Sequence, residues 1–146
     1  MRETEDCFLK VKKDYLKFLK RKKIFNKESV VKMKVLKNTY IPISFWINNE
    51  FKKKGTTLFL GFSGGQGAGK STVVEILKII LKNYFKKKIK VISIDDFYKT
   101  LKDRNKMSHT IHSLFKTRGV PGTHDLSLIR KFFLFFTNKK FKKFKV

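Results

Sequence analysis

An α/β fold with a parallel sheet, preceded by N-terminal helices, is what this sequence predicts, and three consecutive observations carry the prediction. Thr57-Leu58-Phe59-Leu60-Gly61-Phe62 is a near-continuous apolar run flanked by glycine, the pattern of a strand covered on both faces. Gly64 to Gly69 follows as a loop, and Lys70 to Phe85 then places Val73, Val74, Leu77, Ile80 and Leu81 at helical spacing. Ile89 to Ile94 is a second run, rich in β-branched residues. Strand, loop, helix, strand makes a βαβ unit, whose two strands run parallel.

The segment before this unit reads as helical. From Asp6 to Phe25, apolar residues at Phe8, Val11, Tyr15, Leu16, Phe18 and Leu19 stand among lysines at three-and-four spacing. A second helix is expected from Ser29 to Leu36. Asn38 to Pro42 is expected to break it, because proline disfavours a helical residue before it. Ile43 to Phe51 reads as a further short helix carrying Trp46. Beyond Tyr98 the chain is polar and of mixed charge as far as His109. The turn formers Arg118-Gly119-Val120-Pro121-Gly122-Thr123-His124-Asp125 come next, and Thr123 or Asp125 can cap a last helix, Leu126 to Thr137. The basic end, Lys139 to Lys145, is expected to be disordered.

Gly64-Gly65-Gln66-Gly67-Ala68-Gly69-Lys70-Ser71 satisfies G-x-x-x-x-G-K-[ST], the phosphate-binding P-loop, and each fixed position has a physical task. The glycines let successive backbone N–H groups turn toward a β-phosphate. Lys70 bridges β- and γ-phosphate oxygens, and the Ser71 hydroxyl is a Mg²⁺ ligand. Thr72 continues the motif into the helix. The expected fold is thus that of a P-loop nucleoside-triphosphate hydrolase, incomplete because two strands do not make a full sheet. A dinucleotide site is excluded, since G-x-G-x-x-G starting at Gly65 needs glycine where Lys70 stands.

Asp95 and Asp96 lie just past the end of the second expected strand, the edge at which open parallel sheets bind ligands. One of them is expected to face the γ-phosphate, accepting a proton from an attacking hydroxyl or holding Mg²⁺ through water. The competing reading is that they cap the segment that follows. Phe97 and Tyr98 are expected to pack. His109 and His112 with the one cysteine, Cys7, give too few ligands for a structural zinc.

A formal charge of +25 and sixteen phenylalanines accompany only five arginines, Arg2, Arg21, Arg104, Arg118 and Arg130. That mixture reads as compositional drift in an A/T-biased genome, so a nucleic-acid partner is not expected despite the basic pI. Cys7 has no internal disulfide partner, and the start of the chain lacks the pattern of a secretory signal. No stretch approaches the roughly 18 apolar residues that span a bilayer. A soluble, cytoplasmic protein with no membrane partner is expected.

Gly61 to Thr72, Ser93-Ile-Asp-Asp-Phe-Tyr98 and Thr117 to Asp125, with Ile41-Pro42 and Phe45-Trp46-Ile47 upstream, resemble the D-glycerate 3-kinase branch of the phosphoribulokinase and uridine kinase family, over about Tyr40 to Thr137. The resemblance implies ATP- and Mg²⁺-dependent transfer of the γ-phosphate to a hydroxyl of a small organic acceptor, with glycerate the expected one. It makes Asp95 the candidate base and a candidate metal ligand beside Ser71, Lys70 a catalytic residue, and Arg118, His124 and Asp125 candidates for positioning the acceptor. Arg118 suits a carboxylate, which its planar fork can pair bidentately. The alternative reading of Arg118 to Asp125 is a tight turn serving conformation alone. Members of the family continue into further strands and a lid, so the chain is expected to be an N-terminal portion. On this reading 1–54 is a helical extension, 55–138 a partial kinase core and 139–146 the basic tail. Two other functions stay open: a P-loop ATPase stimulated by nucleic acid, and a non-catalytic remnant.

Overall fold

The computed structural model describes residues 2–24 and 29–137; the basic tail from Lys139 lies outside them. The chain divides into two compact units, Met1–Lys90 and Val91–Val146.

The first unit is built around the helix that follows the phosphate loop. Helix α1 runs from Arg2 to Arg21, with Glu3 and Glu5 in its first turn and Lys20 and Arg21 in its last, the charge order that the helix dipole favours. Its buried stripe is Cys7, Val11, Tyr15, Phe18 and Leu19. Helix α2, Ser29–Val35, passes through a π-helical turn, Leu36–Tyr40, into helix α3, Ile41–Lys54. Helix α4 spans Lys70–Asn83 and buries Ile76, Leu77, Ile80 and Leu81.

Ile76 and Ile80 enter a core with the α1 stripe, Leu36 and Ile41, while Leu77 and Leu81 pack with Ile47 of α3. The lysine-rich N-terminal helices therefore cover the phosphate-loop helix. Polar ties reinforce the packing: Asn83 donates to Asp14 at 2.7 Å, and Lys37 pairs with Glu5. Phe45, Tyr84 and Phe85 form an aromatic cluster, with centroids 4.8–5.8 Å apart.

Three sequence expectations need correction. Pro42 does not break the helix. Tyr40 and Ile41 keep right-handed helical angles, and the Ile41 N–H bonds to the Leu36 carbonyl, five residues back. The π turn thus shifts the hydrogen-bond ladder where Pro42, which has no N–H, would interrupt it. Second, α1 starts and stops about four residues earlier than its apolar spacing suggests. Third, Thr57 to Phe62 and Ile89 to Ile94 are not strands. The described residues contain no strand ladder, and Ile94 instead opens a 3₁₀ turn. A parallel strand is defined by hydrogen bonds to a neighbour, and an apolar run does not supply that neighbour. Leu58 and Ile89 nevertheless lean on the same Ile47, Leu77 and Leu81 cluster, so both runs are anchored at one point on α3 and α4.

In the second unit a 3₁₀ turn, Ile94–Phe97, is followed by helix α5, Leu101–Thr110, a second 3₁₀ turn, Ser113–Lys116, and helix α6, Leu126–Thr137. Buried Phe97 meets Phe132 of α6 at 5.4 Å between centroids. Buried Arg104 of α5 donates from Nε to the Lys99 carbonyl at 3.3 Å and from Nη1 to the Lys116 carbonyl at 2.5 Å, tying together segments that no local pattern links.

Burial pushes the Cys7 thiol up to about 11, helped by the Asp6 charge and opposed by Lys10. Folding thus favours the protonated thiol. This contribution to stability is complete below the unfolded thiol pKa of about 8.5 and is lost as pH rises toward the folded value. At pH 8 a disulfide reagent should label native Cys7 roughly two orders of magnitude more slowly than it labels the urea-unfolded chain. Ile80→Ala, which opens a cavity where α1 meets α4, should cost about 2–5 kcal/mol in urea unfolding.

Candidate functional site

The phosphate loop is exposed from Gly61 to Gly69 and leads into the first turn of α4. Gly69 caps that helix at φ 77°, ψ 13°, with no side-chain cap bond. This left-handed conformation favours glycine, and it leaves the first-turn N–H groups without a capping side chain, as an anion site at a helix N-terminus requires. The turn between is closed by the Ala68 N–H on the Gly65 carbonyl at 3.3 Å. Lys70 curls back over the loop, and its Nζ donates to the carbonyls of Gly64 and Gly65, each at 2.7 Å. A single cation is therefore held above the loop by neutral oxygens, which a phosphate oxygen can replace with a stronger charge-assisted bond. Gln66, Gly67, Ser71 and Thr72 complete the predicted set, with Ser71 exposed in the first turn.

The acidic pair is divided in its tasks. Ser93 caps the 3₁₀ turn: its hydroxyl accepts from the Asp95 N–H at 3.2 Å, and its own N–H donates to Asp96 Oδ2 at 3.0 Å. Asp96 therefore closes a capping box, the structural role that had been set against the catalytic one. Asp95 contributes its backbone to that box and presents an exposed side chain.

The Arg118 to Asp125 segment joins the acidic motif directly. Tyr98 and His124 form an antiparallel bridge. It is flanked by Lys99 N–H to Thr123 C=O and Asp125 N–H to Phe97 C=O, both at 2.8 Å. The Tyr98 ring stacks on the His124 imidazole, with centroids 4.0 Å apart and an interplanar angle of 24°. The Arg118 guanidinium lies over the Tyr98 ring, 5.4 Å from its centroid. His124 Nε2 is buried and has no hydrogen-bond partner in the protein.

Turn chemistry is present as well. Thr123 is fully buried and bonds back to Val120 through its N–H and its hydroxyl. Asp125 Oδ1 accepts from the Leu128 N–H at 2.9 Å, capping α6. Of the acceptor candidates, Arg118 and His124 thus share one aromatic neighbour, while Asp125 is engaged in a cap. The loop and α4 belong to the first unit. Asp95, Arg118, His124 and Asp125 belong to the second.

Tyr98 packs, as expected, with its ring on that of His124; sequence reasoning missed the helix α5. Thr100 and Asp103 did carry a signal for that helix. The Thr100 hydroxyl accepts from the Asp103 N–H at 3.1 Å and donates to the Asp103 carboxylate at 2.6 Å. Nothing local marks Arg104 as a tie.

Against curated proteins, the chain is 40% identical over 96 residues to the probable ATP-dependent kinase TDA10 of Saccharomyces cerevisiae, covering 63% of this chain and 31% of that protein. It is 37% identical over 100 residues to the chloroplastic D-glycerate 3-kinase of Arabidopsis thaliana, covering 61% and 22%. The chain is thus similar to kinases, a D-glycerate 3-kinase among them. A kinase of Schizosaccharomyces pombe called mug58 is 33% identical over 86 residues, covering 58% of this chain and 31% of that one. The resemblance drawn from the motifs is borne out, and relatives of this kind imply a P-loop fold. The similarity spans less than a third of the length of each of these relatives. No protein-family profile matches the chain, and no solved structure matches it. Among the described residues no helix is long and apolar enough to cross a membrane.

Gly122 has φ 91°, and an added Cβ would come within 3.1 Å of Phe115 Cε1. Gly122→Ala should therefore lower the melting temperature of the chain by several degrees in calorimetry, more than Gly65→Ala, where an added Cβ meets nothing within 4 Å.

Proposed function

We propose that the chain carries the ATP site, and residues of the acceptor side, of a kinase that transfers the γ-phosphate of ATP to a hydroxyl of a small organic acceptor, with D-glycerate as that acceptor. The observation that carries the reading is the closed loop from Gly64 to Lys70, with the Lys70 amine held over two of its carbonyls at 2.7 Å. The names of the relatives support the reaction class, and the D-glycerate 3-kinase among them supports the acceptor.

In this reading the backbone N–H groups of Gly65 to Ser71 and the N-terminus of α4 take the β-phosphate, and Lys70 exchanges carbonyls for β- and γ-phosphate oxygens. Asp95 receives the proton of the acceptor hydroxyl as that oxygen attacks phosphorus. Asp96 is committed to the Ser93 N–H, so Asp95 is the better base of the two.

Mg²⁺ fits the donor set. The described residues hold no cluster of three or more His, Cys, Asp or Glu, and Mg²⁺ in kinases is held by one or two protein oxygens together with phosphates and water. Ser71 would supply a protein oxygen. A bound Mg²⁺ would supply neutralisation of phosphate charge. A cytoplasmic location belongs to the same reading, with the buried thiol of Cys7 kept reduced.

The test is thermal melting with Mg-ATP, because a ligand of the folded state raises the transition. The chain should melt higher with Mg-ATP, and Lys70→Ala should abolish the shift; an equal shift in that variant would refute the assignment. Asp95→Asn should retain the shift and lose D-glycerate-dependent ADP formation by about two to four orders of magnitude, whereas Asp96→Asn should lose far less.

A further inference from the structure

We propose that the groove between α1 and α4 is a binding site for a small organic phosphate, separate from the phosphate loop, with its attraction supplied by side-chain cations rather than by backbone N–H groups. It is independent of the kinase reading, because it uses no residue of the loop from Gly64 to Lys70.

The groove has a volume of about 300 Å³, at the lower end of the roughly 300–1,000 Å³ typical of small-molecule sites. Its floor is apolar, formed by buried Phe18 of α1 and half-buried Ile79 of α4. Four cations line it, Lys17 and Arg21 from α1 and Lys78 and Lys82 from α4. The members of each pair are four residues apart, so they share a helix face with about 6 Å of axial rise between them.

Two acidic side chains share the groove, and both are already engaged. Asp14 accepts from Asn83 Nδ2 at 2.7 Å, and Glu75 pairs with Lys78 at 3.3 Å. Among the described residues no carboxylate pairs with Lys17, Arg21 or Lys82. Arg21 is one of only five arginines in the chain. Its guanidinium stands 5.8 Å from the Phe18 ring centroid, a cation–π contact that positions the planar fork without cancelling its charge.

The chemistry then selects the ligand. The carboxyl end of α1 carries the negative pole of the helix dipole, which opposes an anion there, so the attraction has to come from the side chains. A guanidinium matches phosphate oxygens bidentately, and an ammonium serves them as a point charge. Phe18 and Ile79 offer apolar surface to an organic body that an inorganic ion lacks. A ligand seated on this floor touches α1 and α4 together and stabilises their packing.

The experiment is a calorimetric titration of the full chain with phenyl phosphate and, separately, with inorganic phosphate. It is run on the Lys70→Ala variant, so that the phosphate loop does not contribute. Phenyl phosphate should bind one per chain, about fivefold or more tighter than inorganic phosphate, because only it reaches the floor. Arg21→Gln should weaken it about tenfold, and Lys17→Gln combined with Lys82→Gln by about as much. Lys13→Gln combined with Lys52→Gln, which removes the same charge from exposed positions outside the groove, should change it by less than about twofold.

No binding of phenyl phosphate overturns the proposal, as does equal weakening by the groove pair and the control pair, which would assign the binding to net charge. Equal affinity for the two phosphates overturns the organic body. Displacement of phenyl phosphate by an oligonucleotide at lower phosphate concentration overturns the small ligand in favour of a polymer. If Arg21→Gln does not fold, Arg21→Lys decides in its place: the charge stays, the fork is lost, and binding should still weaken. A missing Mg-ATP melting shift beside intact phenyl phosphate binding sinks the kinase reading alone.

Discussion

The burial of one face of α4 beneath α1 and α3 is the constraint on which the loop from Gly64 to Lys70 depends. A P-loop works only if its backbone N–H groups stay aimed while an anion arrives, and the loop itself has almost no side chains with which to hold its shape. Its rigidity comes from the helix it opens. Ile76 and Ile80 lock into the Cys7, Val11, Tyr15, Phe18 and Leu19 stripe, and Leu77 and Leu81 lock against Ile47. Interiors packed at crystal-like density transmit displacement poorly into continuous deformation. The exposed loop is thus attached to a stiff support one turn away. The N-terminal helices, lysine-covered on their outer faces, supply the apolar partner that lets α4 keep its direction.

Charge follows a similar division. The chain has 36 Lys and Arg against 11 Asp and Glu, so its acidic side chains are too few to pair with most of its cations. Three cations are held by something other than carboxylates. Lys70 is held by two carbonyls, Arg118 by an aromatic ring, and Arg104 by the carbonyls of Lys99 and Lys116. Neutral oxygens and π faces fix the position of a cation without cancelling its charge. A cation held in this way keeps its charge, whereas an ion pair would have to be broken before an anion could replace its partner.

What was legible in the sequence is what is local. The glycine-lysine-serine loop, the helix after it, the cap of α6 by Asp125 and the stripe of α1 all depend on residues within a few positions of one another, and all are found. Pro42 misled because its effect depends on which carbonyl it leaves unpaired, and a π turn moves that choice by one residue. The strands misled for a different reason. Hydrophobic runs report burial, and Leu58 and Ile89 are indeed packed against the α3–α4 cluster. Strand formation also needs a neighbour at hydrogen-bonding distance, which no property of the run itself encodes. Arg104 is invisible for a like reason, since both of its carbonyl partners lie outside its own helix.

The two motifs of the second unit show how a structural and a functional account of the same residues can both hold. Ser93 and Asp96 form a capping box, Thr123 folds back on Val120, and Asp125 caps α6, so turn chemistry explains four residues that had been weighed as site candidates or their neighbours. Once those four are assigned, the residues left over are Asp95, Tyr98, Arg118 and His124. They are a carboxylate, a ring, a cation and an imidazole with a buried, unpartnered nitrogen, and the caps explain none of them. The caps and the Tyr98–His124 bridge set the backbone on which these four are carried. Local conformational chemistry thus consumes one set of polar groups and leaves a second set uncommitted to it.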